Sequence, residues 1–109
     1  MSGKALAHNV YFQLNESTSA NRQALIAAAR KYLTVQPGIL FFAVGELAEE
    51  LARPVNDREW DVGLHIVFTD QAAHDAYQVD ASHEQFVAEQ KSNWKRVRVF
   101  DSLVEVVRV

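Results

Sequence analysis

Apolar and polar residues alternate along several stretches of this chain, and each stretch predicts a β-strand. From His8 to Leu14 every second residue belongs to an apolar face, while the residues between them form a polar yet aromatic face. The same alternation runs from Trp60 to Thr69, and Val97 to Val109 predicts a long final strand. The run from Ile39 to Val44 is apolar throughout, which predicts a strand covered on both sides.

Apolar residues at helical spacing predict a first helix from about Ala20 to Val35. Pro37 and Gly38 end it, because the residue before a proline is pushed out of the α region. Further along the chain, Asp70 is placed to cap a short helix that runs through Tyr77.

A further helix is predicted after the loop that follows Tyr77. Ser82 and Gln85 have the spacing of a capping box, which predicts that this helix begins there. Its inward stripe is predicted to include His83, Phe86 and Trp94.

The predicted order of elements is β-α-β-β-α-β, the arrangement of α+β ferredoxin-like folds, with a four-stranded antiparallel sheet and helices on one face. Residues 1–109 are predicted to form a single domain, because a chain of this length cannot build two independent cores. The other face carries Tyr11, His65 and Phe100, and it is too apolar to be left in water. We therefore expect a homodimer in which two sheets close into a dimeric α/β barrel, with Leu103 to Val109 reaching the partner.

Composition narrows the range of partners. The net charge of −3 is spread without long blocks of one sign, which argues against a nucleic-acid partner, since phosphate binding needs a concentrated basic stripe. There is no cysteine, and no apolar run is long enough for a signal sequence or a membrane span. These absences lead us to expect a soluble, cytoplasmic protein that does not contact a membrane.

Three residues are candidates for chemistry: His8 on the helix side of the first strand, Tyr77 at the end of the short helix, and His83 in the first turn of the next one. The positive end of a helix disfavours imidazolium, so His83 can act as a neutral general base. Tyr77 can donate a hydrogen bond to a carbonyl oxygen or an enolate. Alternatively, these three side chains have no chemical role and only pack at the edge of the hydrophobic core.

The other two histidines, His65 and His74, are predicted to have structural roles. His65 is predicted to face the partner subunit, and His74 is predicted to be exposed. No metal site and no cofactor are expected, because no HxxxH or HExxH spacing occurs and His8 and His65 lie on opposite sides of the sheet.

Several short pieces occur in an order and spacing that resemble the stress-responsive dimeric α/β-barrel (Dabb) domain family, which includes olivetolic acid cyclase-like proteins. The pieces are His8 to Phe12, Pro37-Gly38, a strand ending in Gly45, Val62 to Asp70, Tyr77 to Phe86, and Val99 to Asp101. The family often has His-Pro where this chain has Asp80 and Ala81. The resemblance covers nearly the whole chain, from His8 to Asp101.

The resemblance implies a working pair, Tyr77 and His83, with His8 close by. In the cyclase such a pair closes a linear polyketide by aldol condensation without a cofactor. The resemblance also implies a pocket wall formed by Val10, Phe12, Leu25, Ile26, Ala29, Leu64, Phe86, Val87, Trp94, Val97 and Val99.

Three functions remain open at this point. The first is a dimeric, stress-response-type barrel that binds a small apolar or aromatic ligand. The second is a cofactor-free lyase or cyclase in which Tyr77 and His83 transfer a proton next to a carbonyl. The third is an assembly protein that forms oligomers larger than a dimer. An open cavity beside Tyr77 and His83 would favour the enzyme over the binding protein.

Overall fold

The computed structural model describes residues 4–109. The first strand, β1 (Ala5–Leu14), lies inside a four-stranded sheet, between β3 (Val62–Phe68) and β4 (Trp94–Val104). The strand β2 (Ile39–Glu46) pairs with the outer side of β3, so the order across the sheet is β2-β3-β1-β4. Every pair is antiparallel. The predicted α+β, ferredoxin-like subunit is confirmed.

The helices connect the strands on one side of the sheet. They are α1 (Ser19–Tyr32), α2 (Gln71–Gln78) and α3 (Ala81–Gln90), and a single 3₁₀ turn (Lys91–Asn93) follows α3. The second helical connection is therefore broken into two pieces, which gives the order β-α-β-β-α-α-β. None of these helices is long and apolar enough to cross a membrane.

Each helix begins at a side chain that satisfies a free backbone N–H group. Asp70 accepts from the N–H of Ala73 at 2.8 Å, as predicted for α2. The capping box predicted at Ser82 and Gln85 is wrong. Asp80 is the cap and accepts from the N–H of Ser82 at 2.8 Å, so α3 begins before the predicted position.

The last strand differs from its prediction at both ends. Trp94 is the first residue of β4 and not part of the stripe of α3, because that helix ends at Gln90. The strand stops at Val104, and residues 105–109 have no regular secondary structure.

The hydrophobic core lies between the sheet and the helices. Phe12, Leu64 and Phe86 are among its members and are at most 3% exposed. The rest of the core comes from the same face of β1 and β3 and from the inner side of the helices, namely Leu6, Val10, Leu14, Leu25, Ala28, Ala29, Leu33, Val62, Ile66, Phe68 and Tyr77.

Among residues 4–109 no helix covers the opposite face of the sheet, and we call this face the open face. Its centre is the ring of Tyr11, which packs against Trp60, His65 and Phe100 at centroid distances of 4.9, 5.8 and 5.8 Å. Phe100 is 53% exposed and Phe41 is 56% exposed. The helices therefore cover only one side of β2, and the predicted cover of its other side stays a prediction that depends on the partner.

Candidate functional site

A cavity of about 340 Å³ lies on the helix side of the sheet, between β1, β4 and the helices α2 and α3. Its wall is mostly apolar, and its polar groups come from β1, α2, α3 and β4. Val97 and Val99 line it from the edge strand and are 38% and 50% exposed, so the cavity opens to solvent along β4. An apolar pocket with a small number of polar groups is the usual form of a small-molecule site.

His8 and Asp101 form the tightest polar contact of the cavity. They are directly opposite each other in the β1–β4 pairing, and His8 Nδ1 lies 2.5 Å from Asp101 Oδ1. Burial lowers the pKa of His8, although the carboxylate of Asp101 acts in the opposite direction. A neutral His8 donates its Nδ1–H to Asp101 and keeps a lone pair on Nε2.

Tyr77 and His83 meet edge to face, with their ring centroids 4.8 Å apart. The ring of His8 is 5.7 Å from that of Tyr77, so the three predicted candidates lie together around the cavity. Within residues 4–109 the hydroxyl of Tyr77 makes no hydrogen bond to protein, and this donor is available to a ligand.

Burial sets the protonation of this pair. It raises the pKa of Tyr77 above its usual range, so the phenol stays protonated. It lowers the pKa of His83, and the proximity of His8 adds to that effect, while Asp80 and Glu84 oppose it. His83 is therefore neutral near pH 7 and can accept a proton.

His74 belongs to the same cluster, and the prediction that it is exposed is wrong. Its side chain is only 14% exposed, and its ring packs 5.0 Å from His8 and 5.7 Å from Phe68. It lies on α2 three residues before Tyr77, so both side chains project from the same face of that helix.

The structure places eight of the eleven predicted wall residues around the cavity, namely Val10, Phe12, Leu64, Phe86, Val87, Trp94, Val97 and Val99. Leu25, Ile26 and Ala29 of α1 do not line it. Leu25 and Ala29 are 1% and 2% exposed, because α1 packs against the sheet and α3 and fills the core there.

Three lining residues were missed by the sequence analysis: His74, Gln78 and Asp101. Two features of the sequence could have indicated these residues. Asp101 continues the alternation of Val97 and Val99 on the helix side of β4, and His74 and Gln78 lie three residues before and one after Tyr77 on α2.

Trp94 contributes an unsatisfied polar atom. Its Nε1 is buried and has no hydrogen-bond partner among residues 4–109. Its ring packs on Phe12, with centroids 4.9 Å apart, and lines the cavity. A buried N–H without a partner costs about 1–3 kcal/mol, so this donor gains from any acceptor that reaches it.

The open face carries a separate set of polar contacts. His65 Nδ1 donates to Asn9 Oδ1 at 2.8 Å, and burial lowers the pKa of His65. Arg98 forms an ion pair with Asp57, and its guanidinium holds the pKa of that carboxyl at about 2. Together with Tyr11 and its neighbouring rings, this pair borders a depression of about 340 Å³.

The antiparallel sheet, its strand order and the one-sided helices define an α+β protein of the ferredoxin-like class. The family model of the stress responsive A/B barrel domain, Dabb, matches residues 6–104. The chain therefore belongs to the Dabb family. Among curated proteins, none matches this chain.

Solved structures with a similar fold come from several organisms. A Dabb family protein from Mesorhizobium loti is 23% identical, with 93% of this chain and 97% of that one covered and a TM-score of 0.76. A dimeric ferredoxin-like protein of unknown function from Thermobifida fusca is 19% identical, with 94% and 92% covered and a TM-score of 0.78. A hydroxynitrile lyase from Passiflora edulis is 14% identical, with 98% and 99% covered and a TM-score of 0.75.

Proposed function

We propose that this chain acts as a homodimeric α/β barrel whose subunit cavity binds a small apolar or aromatic carbonyl compound, and that Tyr77 and His83 transfer a proton next to the carbonyl. The observation that carries this proposal is the open cavity of about 340 Å³ that these two side chains border. Its volume suits a ligand of one or two rings. In the alternative function, the cavity binds the same kind of ligand and no proton is transferred.

The dimer is supported by the open face. Exposed aromatic and apolar side chains on one sheet surface, among them Phe41 and Phe100, mark a surface that another protein covers. A second copy of the same sheet is the simplest cover, and the similar proteins from Thermobifida fusca and Jannaschia are described as dimeric. Such a pair should bury more than about 1,200 Å² in total. A monomer in sedimentation velocity at micromolar concentration would contradict this part of the proposal.

The proton transfer uses both groups in their stable protonation states. The neutral ring of His83 takes a proton from the carbon beside the carbonyl, and the electrons of that C–H bond move onto the carbonyl oxygen as an enolate. The hydroxyl of Tyr77 donates a hydrogen bond to this oxygen. His83 then returns the proton to the same carbon. Alternatively, the enolate carbon attacks the carbon of a second carbonyl group, and the oxygen of that group takes the proton from His83, which restores the neutral base.

The comparison with the lyase shows that a similar fold can carry a lyase site, and it assigns neither the reaction nor the substrate of this chain. The Passiflora edulis protein, whose fold is similar, is a hydroxynitrile lyase. That reaction class belongs to that protein, and a shared fold hosts many activities. The proposal therefore depends on the groups that face the cavity of this chain.

Exchange of carbon-bound hydrogen tests the proposal directly. Acetophenone in D₂O should lose its methyl proton signal in ¹H NMR faster with the protein than without it. His83→Asn and Tyr77→Phe should each reduce the enzymatic rate by about 100-fold or more. Tyr32→Phe is the matched control, because the Tyr32 hydroxyl bonds Glu89 outside the cavity. Exchange that survives both cavity variants would contradict the assigned roles.

The pH profile of the exchange supplies a second readout. Because the folded pKa of His83 is lowered, the rate should rise with pH to a midpoint below 6.5 and then stay level. The raised pKa of Tyr77 keeps the phenol protonated, so no loss is expected between pH 7 and 9. A midpoint above 6.5 would contradict His83 as the base.

Binding without catalysis is measured separately. Acetophenone should quench the fluorescence of Trp94 as it enters the cavity, and Val87→Phe should abolish the quenching by filling part of the space. Quenching without exchange would leave the binding protein as the function and remove the proton transfer.

A further inference from the structure

Three side chains from three elements meet at the polar end of the cavity. His8 comes from β1, His74 from α2 and Asp101 from β4, and one potential ligand atom from each lies within 4.8 Å of the others. All three line the cavity. These three residues lie far apart in the sequence, so no short sequence motif predicts the cluster.

Two imidazoles and one carboxylate are a donor set that transition-metal ions prefer over Mg²⁺ or Ca²⁺. Ligand bonds to Zn²⁺ are about 2.0–2.2 Å long and are arranged tetrahedrally, so two ligand atoms of one ion lie about 3.3–3.6 Å apart. The most distant pair, within the observed limit of 4.8 Å, must therefore approach by roughly 1.2–1.5 Å for tetrahedral binding. Asp101 can supply this movement, because its side chain is 41% exposed, whereas that of His8 is 4% exposed.

The surroundings of His74 orient its ring for such a role. Its Nδ1 lies 3.0 Å from a carboxylate oxygen of Asp75, which accepts the Nδ1–H and leaves the lone pair on Nε2. The side-chain nitrogen of Gln78 lies 3.3 Å from that Nε2. This amide belongs to an exposed side chain and can rotate away.

We infer that His8, His74 and Asp101 form a binding site for one divalent transition-metal ion, with Zn²⁺ as the best-matched probe, at the polar end of the cavity. Three protein ligands leave open coordination positions, and these face the cavity, where a ligand oxygen can bind. The inference goes beyond the proposed function and does not depend on it, because Tyr77 and His83 are not ligands.

Isothermal titration calorimetry of the chelator-treated protein with Zn²⁺ alone tests the site. We expect one ion per chain with a dissociation constant in the micromolar range or below. His74→Gln should weaken binding roughly 100-fold or more, since even loss of an outer-shell partner costs about 10- to 100-fold. Asp75→Asn should have a smaller effect in the same direction.

The matched control is His65→Gln, because His65 lies on the open face and outside the cavity. Its Zn²⁺ affinity should stay within about two-fold of the unchanged protein, and so should that of Tyr77→Phe. An unchanged melting temperature without metal would show that His74→Gln folds. Less than half an ion per chain, or equal losses in His74→Gln and His65→Gln, would overturn the inference.

The experiment contains no carbonyl compound, so its outcome and that of the exchange experiment are independent. Zn²⁺ binding without exchange leaves the metal site standing and removes the proton transfer. Exchange without Zn²⁺ binding supports the proton transfer and overturns the metal site.

Discussion

The two faces of the sheet are built from the same four strands, yet they have different roles. On the helix side, Phe12 and Leu64 are 3% and 1% exposed, and the cavity interrupts an otherwise filled core. On the open face, Tyr11 organises a cluster of aromatic rings with no cover from its own subunit. Alternation along each strand fixes which residues share a face, but the helices decide which face becomes a core.

If a second copy covers the open face as proposed, this small domain divides its stability between its own core and its partner. The helix side holds the subunit together, whereas we expect the open face to contribute only when a second copy covers it. The losses of stability caused by substitutions on the two faces should therefore depend differently on protein concentration.

The largest effect is expected on the helix side. Truncating Phe12, Leu64 or Phe86 to alanine should each lower the free energy of unfolding by roughly 2–5 kcal/mol, because a buried side chain is lost and a void remains. Urea denaturation should show the same loss at every protein concentration. Phe100→Ala, on the open face, is the matched control. Its loss should shrink as the protein is diluted below the dissociation constant of the dimer, because the unchanged protein then also loses its partner. Equal behaviour of both variants would remove the distinction between the faces.

A smaller effect is expected for His65. His65→Ala should raise the dissociation constant of the dimer about ten-fold while leaving subunit secondary structure unchanged, and His74→Ala, outside the open face, should not. Burial within the chain already lowers the pKa of His65, and a partner over the open face should bury this ring further and lower its pKa more. The dissociated chain should then bind more protons than the dimer, so the dimer should weaken as pH falls below about 6.5. Arg98 and Asp57, the charged pair on this face, keep their charges in that range.

Sedimentation equilibrium at pH 7.5 and 5.5 measures both effects, and His65→Gln should flatten the pH dependence. If His65→Ala leaves the dissociation constant of the dimer unchanged, the partner covers a different surface.

The smallest effect is expected at the carboxyl end. Removing residues 105–109 deletes exposed apolar side chains, including Val106 and Val107 at 65% and 72% exposure. If this segment reaches the partner, its removal should weaken the dimer by less than His65→Ala does, without changing the circular dichroism of the subunit. An unchanged dissociation constant would show that the segment packs on no partner.

Local sequence rules predicted most of the subunit because they depend on neighbours in the chain. Alternation gave the strands to within a few residues, and Asp70 was correctly placed as the cap of α2. The same rules misplaced the start of α3, because Asp80 and Ser82 are both good caps and the choice depends on how the loop packs. They also missed that α3 ends before Trp94, which the sheet takes as the first residue of β4.

The sequence by itself determined the class of fold, the two chemically different faces and the identities of Tyr77, His83 and His8 as candidates. Only the tertiary structure decided that Asp101 lies against His8, because strand register joins residues 93 positions apart. Only it decided that His74 turns inward and that Leu25 and Ala29 lie away from the cavity, since both depend on where a helix rests on the sheet. Periodicity reports the face of an element, whereas the partner of that face is set by packing between distant parts of the chain.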